Sequence, residues 1–263
     1  MGVVNVTPDS FSDGGLFLST QAAVEQGVRL WEEGAHLLDV GGESTRPGSD
    51  SVPVEEEIRR VVPVIQALAA QTSAVISIDT MKAPVARAAL EAGAAVINDV
   101  AALRFDPDMA ALAAESGAGL ILMHMLGSPK TMQANPVYED VVAEVTAFLA
   151  ARAGAARAAG VPPERIVVDP GIGFGKTLAH NLTLIRRLDR LAALGYPVLL
   201  GASRKAFIGT LTGRPALERL YGTLGVHVLG AALGADLVRV HDVGPLVEAL
   251  KVVDAVLAAG EAS

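Results

Sequence analysis

Leu120-Ile121-Leu122-Met123-His124 is a run of four apolar residues closed by a polar one. Outward from it, in both directions, the same pattern recurs. Gly2-Val3-Val4 leads to Asn5, Leu37-Leu38 to Asp39, Val75-Ile76-Ser77-Ile78 to Asp79, and Ala95-Val96-Ile97 to Asn98. Ile166-Val167-Val168 leads to Asp169, Val198-Leu199-Leu200 toward Ser203 and Lys205, and Leu237-Val238-Arg239-Val240 to His241. Runs this short and this apolar predict strands buried on both faces. A polar residue at each carboxyl end is what an active site at the top of a parallel barrel requires.

Between the runs lie Ala-rich amphipathic stretches at helical period, over 20–33, 54–70, 83–92, 108–115, 138–159, 178–193, 216–233 and 245–258. Strand then helix, repeated, gives parallel pairing through right-handed crossovers. A doubly wound open sheet has the same local signature, but eight repeats favour closure into a TIM (β/α)8 barrel, and 263 residues is close to the ~250 typical of one. No linker or break in composition divides the chain, so a single domain over 1–263 is expected.

Net charge is −8, with 21 basic and 29 acidic residues, which argues against a general nucleic-acid or anionic-membrane partner. An anionic substrate then needs a local cluster of positive charge. There is no cysteine, so disulfides and thiolate metal sites are excluded. No apolar run approaches the ~20 residues of a membrane span, and no signal-peptide pattern opens the chain, so a cytoplasmic protein is expected.

Three strand-to-helix connections are long and polar: 6–18, 41–53 (containing Ser44-Thr45-Arg46-Pro47-Gly48) and 126–137. Long connections in compact domains are usually functional lids or disordered segments. Asp9 and Arg46 are therefore candidates to enter the site when a ligand orders the loops. Asp169-Pro-Gly-Ile-Gly-Phe-Gly-Lys176-Thr177 invites a phosphate-loop reading but fails it, because Pro170 stands where the first glycine belongs. Lys176 also stands where the third glycine of a dinucleotide fingerprint would be. What remains is a glycine-rich turn, either ordinary or shaped for close approach of a ligand.

Asp79, Asn98 and Asp169 end three separate strands. Singly each suits an N-cap; together they read a flat heterocycle with several N–H donors. Lys205 adds a donor. Asn5, Arg239 and His241 end the first and eighth strands, neighbours in a closed barrel. An Arg with a His suits a phosphate or diphosphate, and the Asn5 oxygen suits Mg²⁺ with water in its remaining positions; the alternative for His241 is a helix cap. His124 is either a satisfied core histidine or a catalytic one. His36, His180 and His227 read as structural or surface residues, Arg59-Arg60 and Arg186-Arg187 as solvated helix faces, and Lys82 as a first-turn helix residue. The Ala/Gly-rich stretch 226–233 fits a dimer surface and ordinary close helix packing equally well.

Asn5-Val-Thr-Pro-Asp-Ser-Phe-Ser-Asp-Gly-Gly15 and Asp39-Val-Gly-Gly-Glu-Ser-Thr-Arg-Pro-Gly48 resemble the two long signatures of the dihydropteroate synthase family. Ile78-Asp79-Thr80, Ile97-Asn98-Asp99-Val100, Met123-His124-Met125, the Asp169 turn, Ser203-Arg204-Lys205 and Arg239-Val240-His241-Asp242-Val243 follow in order, so the resemblance spans the chain. It implies an eight-stranded α/β barrel, usually a homodimer, that condenses 6-hydroxymethyl-7,8-dihydropterin diphosphate with 4-aminobenzoate to 7,8-dihydropteroate and diphosphate in folate synthesis, with sulfonamides competing for the aminobenzoate site. It implies that Asp79, Asn98, Asp169 and Lys205 hold the pterin, and that Asn5, Thr45, Arg239 and His241 hold diphosphate and Mg²⁺. It also implies that Phe11, Pro47, Phe174, Ser203 and Lys205 surround the aminobenzoate, and that Asp9, Arg46 and Lys205 serve the chemistry. One departure is Ile172, where many members carry Phe.

Two rivals remain. A methyltetrahydrofolate–corrinoid methyltransferase-like barrel shares the Asp/Asn pterin grip but has no use for the two long signatures or an Arg-x-His diphosphate site. A non-catalytic pterin- or folate-binding barrel would be expected to lose Lys205, Arg239 or the loops. On the residues alone, Arg239→Ala should weaken the diphosphate substrate and leave the bare pterin nearly unchanged.

Overall fold

Strand residues alternate between two environments, as a period of two requires. Leu38, Val40, Ile76, Ile78, Ile97, Leu120 and Leu122 are buried against the helix residues Val61, Val64, Ile65, Leu68, Val85, Ala89, Met109 and Leu112, forming the aliphatic layer between sheet and helices. Asp39, Ser77 and Asn98 have the opposite parity and meet one another instead. The computed structural model describes residues 1–6, 15–45 and 48–259, with the backbone alone for 15–19.

The elements run β1 (Gly2–Asn5), α1 (Gly15–Glu32), β2 (Leu37–Gly41), α2 (Val54–Gln71), β3 (Val75–Asp79), α3 (Ala83–Glu91), β4 (Val96–Asp99), α4 (Met109–Ser116) and β5 (Gly119–Met123). There follow α5 (Val141–Ala158), β6 (Ile166–Asp169), α6 (Leu178–Arg186), α7 (Leu188–Ala192), β7 (Leu199–Leu200), α8 (Ala206–Thr212), α9 (Leu220–Ala232), β8 (Leu237–Val238) and α10 (Val243–Ala258).

Strands β1 to β6 pair in sequence order, every pair parallel. Strands β7 and β8 form a second parallel pair. The two pieces close through the bridges Val168↔Val198 and Gly2↔Val240. The second bridge carries hydrogen bonds from Val3 N to Val240 O (3.1 Å) and from Val240 N to the Met1 carbonyl (2.9 Å). This is the (β/α)8 barrel expected from the eight apolar runs.

Several element limits differ from the sequence expectation. Helix α1 begins at Gly15, inside the stretch 6–18 assigned to a loop. Helix α5 starts at Val141 rather than 138, because Asp140 caps it by accepting from the N–H groups of Val142 and Ala143, both at 3.0 Å. The stretch 178–193 is two helices, broken at Arg187 with φ −114° and ψ 33°. The stretch 216–233 opens with a 3-10 turn and becomes α-helical at Leu220. The seven-residue α8 is additional; it is too short to show a hydrophobic period.

Candidate active site

Asp39 lies fully buried in β2. Its Oδ2 accepts from Arg239 Nε at 2.6 Å and from Asn98 Nδ2 at 3.1 Å, while Oδ1 accepts from the Ser77 hydroxyl at 2.6 Å. Arg239 follows β8, with β1 between it and β2, and Asn98 is on β4 with β3 between. Contacts that skip a strand run through the barrel interior. Arg239 Nη2 also reaches Asp79 Oδ2 at 2.9 Å. Among the described residues, Asp79 Oδ1 is buried with no hydrogen-bond partner. A lone buried carboxylate oxygen is costly, and burial pushes the Asp79 carboxyl up to about 7, against the pull of the Arg239 guanidinium.

The Asp169 carboxylate accepts from the Gly171 N–H at 2.6 Å, and burial raises it to about 6. Gly171 has φ 65°, and a side chain there would strike the His124 carbonyl oxygen. The Lys176 ammonium turns back into this turn. It donates to the carbonyls of Gly171 and Phe174, both at 3.0 Å, and lies 2.9 Å from His124 Nδ1. His124 is thereby satisfied, with its ring at right angles to that of Phe148, and burial lowers it to about 3. It is a core histidine that ties β5 to the turn after β6. Lys205 Nζ lies 4.1 Å from the Phe174 ring centre, and burial lowers it to about 8. Arg239 lowers it further, while Asp169 and Asp79 oppose, which places all four groups in one electrostatic neighbourhood.

Ser203 Oγ is 2.9 Å from His241 Nδ1 and accepts from the His241 backbone N–H at 3.2 Å. Burial, with help from Arg204 and Arg239, lowers His241 to about 4, so it is neutral at pH 7. Of Arg239 and His241, Arg239 carries the charge, and His241 offers a neutral ring. Between Ser203 and Lys205, Arg204 takes φ 56°, a rare value for a residue with a side chain. Its N–H donates to Thr223 Oγ1 at 3.0 Å, and its guanidinium forks onto Asp242 at 3.0 and 2.5 Å. His227 is buried beneath, accepting from Ala202 N at 3.2 Å, and is structural as expected.

Lys82 precedes α3 as its N-cap residue rather than standing in its first turn. Its buried ammonium binds Glu43 Oε2 (2.7 Å), Glu57 Oε2 (2.6 Å) and the Val52 carbonyl (2.6 Å). Glu43 also accepts from the Val52 N–H at 2.6 Å, so both ends of the connection after β2 are held together. Arg60 belongs to the same support and is not a purely solvated residue: it donates to the Gly42 carbonyl at 3.0 Å. Thr45 lines a narrow cleft with Asp79, Thr80 and Lys82. Asn5 ends β1 opposite Gly41, partly exposed. Asp9, Phe11, Arg46 and Pro47 lie outside the described residues. Among the described residues, no three His, Cys, Asp or Glu side chains converge to hold a metal ion.

Among the described residues, carboxylates, the Asn98 amide and the cations Lys205 and Arg239 thus meet at the carboxyl ends of barrel strands. Residues 1–241 match the family described as pterin binding enzyme. A dihydropteroate synthase from Synechocystis sp. is 48% identical over 256 residues, covering 97% of this chain and 89% of its own. Among solved structures, the Xanthomonas albilineans dihydropteroate synthase with 4-aminobenzoic acid superposes with a TM-score of 0.93 at 54% identity, covering 98% of this chain and 92% of that one. The same organism's enzyme in complex with 7,8-dihydropteroate gives 0.89 at 51% identity, covering 98% and 93%. The chain belongs to the pterin binding enzyme family and, within it, to the dihydropteroate synthases.

Proposed function

We propose that this transferase condenses 6-hydroxymethyl-7,8-dihydropterin diphosphate with 4-aminobenzoate, giving 7,8-dihydropteroate and diphosphate. The observation that carries the reading is the convergence of Asp79, Asn98, Asp169, Lys205 and Arg239 on one mouth. Asp79 and Asp169 accept from the N–H groups of the pterin, Asn98 both accepts and donates, and Lys205 donates to the ring. Arg239, His241, Asn5 and Thr45 hold the diphosphate. Phe174, Ser203 and Lys205, with Phe11 and Pro47, surround the aminobenzoate, and Asp9 and Arg46 enter on the two loops.

The bond between the exocyclic methylene carbon and the diphosphate oxygen breaks, and the electron pair leaves with diphosphate. Arg239 stabilises that charge, and the neutral His241 adds a hydrogen bond. Asp9 and the electron-rich pterin stabilise the cation-like carbon. The arylamine nitrogen then forms the new C–N bond and loses its proton to water or to the departing diphosphate. An arylamine is nucleophilic while neutral, so orientation and electrostatics account for most of the barrier reduction. Asn5 would supply a protein oxygen to Mg²⁺, and the ion would neutralise charge on the leaving group.

The same reading includes a cytoplasmic homodimer. Tyr221, Gly225 and Leu229 form an exposed stripe on α9, and Val252 and Val256 form one on α10. Adjacent exposed apolar stripes of this kind suit burial against a second copy. The test of function is direct: purified protein with both substrates and Mg²⁺ should release diphosphate and form dihydropteroate in equal amounts. No product at saturating substrates would sink the assignment.

A further inference from the structure

We propose that Asp39 is a positioning residue that sets which hydrogen-bonding face Asn98 turns to the pterin and holds Arg239 in register with it. This rests on the pterin reading above. Asp39 is fully buried. All its described side-chain contacts are protein groups: the Ser77 hydroxyl on Oδ1, and Asn98 Nδ2 and Arg239 Nε sharing Oδ2.

A carboxylate only accepts hydrogen bonds, so it admits one orientation of the Asn98 amide. The NH₂ group must face Asp39, because the flipped amide would set oxygen against oxygen. The Asn98 carbonyl oxygen is thereby fixed on the far side with one N–H beside it, and none of the described residues donates to that oxygen. A heterocycle bearing both donors and acceptors is then met in one order only. The same Oδ2 holds Arg239 through Nε, and Nη2 continues to Asp79, which leaves Nη1 for a ligand. One carboxylate oxygen therefore joins the residue that reads the ring to the residue that meets the diphosphate. The Ser77 hydroxyl, buried at 2.6 Å, fixes the carboxylate plane and so both partners.

Asp39→Asn is nearly isosteric, but it offers either an oxygen or an NH₂ to Asn98 and frees that amide to turn over. Calorimetric titration of 6-hydroxymethylpterin into wild type, Asp39→Asn, Asn98→Ala and the double variant decides the matter. If Asp39 acts through Asn98, Asp39→Asn should weaken the pterin about tenfold in the wild-type background. The loss should be clearly smaller, about threefold, once Asn98 is alanine, the remainder being the part carried through Arg239. Equal losses in both backgrounds, or no loss in a folded Asp39→Asn protein, would overturn the proposal, since a merely structural role moves both backgrounds alike. If Asp39→Asn does not fold, Ser77→Ala tests the same coupling with a smaller loss, about threefold, that again shrinks in the Asn98→Ala background; an additive loss overturns it. Failure of wild type to bind the bare pterin would instead overturn the pterin reading itself.

Discussion

The ammonium of Lys205 sits over the face of Phe174, 4.1 Å from the ring centre, so the turn after β6 and the N-cap of α8 form one cation–aromatic wall of the site. Phe174→Leu keeps an apolar side chain and removes the ring face, which is worth about 0.5–2 kcal/mol to a partly desolvated ammonium. The KM for 4-aminobenzoate should rise several-fold, with the bare-pterin affinity changed less than about twofold. Steady-state kinetics paired with pterin titration will check both halves.

The pH profile offers a second handle. Lys205 is lowered to about 8, first by burial and then by Arg239. For the free enzyme, kcat/KM for the pterin diphosphate should therefore fall above about pH 8 as the ammonium is lost. Lys205→Arg keeps a charge that does not titrate in this range. Its activity should be lower throughout, but its alkaline limb should be missing. An unchanged limb in that variant would show that another group controls it.

Asp169 is held at a cost. Its folded value is raised from 3.8 to about 6 by burial. Between these values the folded protein keeps a proton that the unfolded chain releases. Stability present near pH 4 is therefore lost as pH rises through about 6. Asp169→Asn can still accept from the Gly171 N–H and carries no charge. It should be more stable than wild type by on the order of 1–3 kcal/mol at pH 8, with the gain shrinking toward zero near pH 4. Urea unfolding at three pH values measures this, and pterin affinity should fall in the same variant.

Lys82 neutralises the buried Glu57 carboxylate and the partly buried one of Glu43. Lys82→Met leaves Glu43 and Glu57 unpaired and should destabilise the protein by about 3–5 kcal/mol. Glu43→Gln retains an acceptor for Val52 N–H and should be milder in denaturation. It should raise the KM for 4-aminobenzoate, because it loosens the base of the connection whose sequence carries Pro47, while leaving bare-pterin binding nearly intact.

The barrel is legible in the chain because eight buried strands and their helices impose two periods that composition cannot hide. The strand-end residues are legible as a set, but their individual roles are not. Asp39 and His124 look like Asp79 and Asn98 in sequence, since a polar residue at a strand end has the same appearance whether it faces a ligand or another side chain. What separates them is where their polar atoms are spent: Ser77, Asn98 and Arg239 take up the Asp39 carboxylate and Lys176 takes up His124 Nδ1, whereas among the described residues Asp79 keeps a buried oxygen without a partner. Lys82 and Lys176 are invisible for the same reason. Lys82 meets Glu43 across 39 residues and Glu57 across 25, distances at which no periodicity signals contact. The tidy division of diphosphate from pterin also yields to the structure, because Arg239 bonds Asp79. Its removal to alanine is therefore expected to weaken the bare pterin as well.

Strands β7 and β8 are two residues long and meet the other six through one bridge on each side. Ser203, Lys205, Arg239 and His241 are all rooted on this thin arc, while Asp39, Asp79 and Asn98 stand on the fully laddered one. A pterin grasped from both sides acts as a cross-brace over the two seams. Amide protons of 198–200 and 237–240 should exchange with solvent faster than those of the longer strands in the free protein, and slow most when the ligand binds.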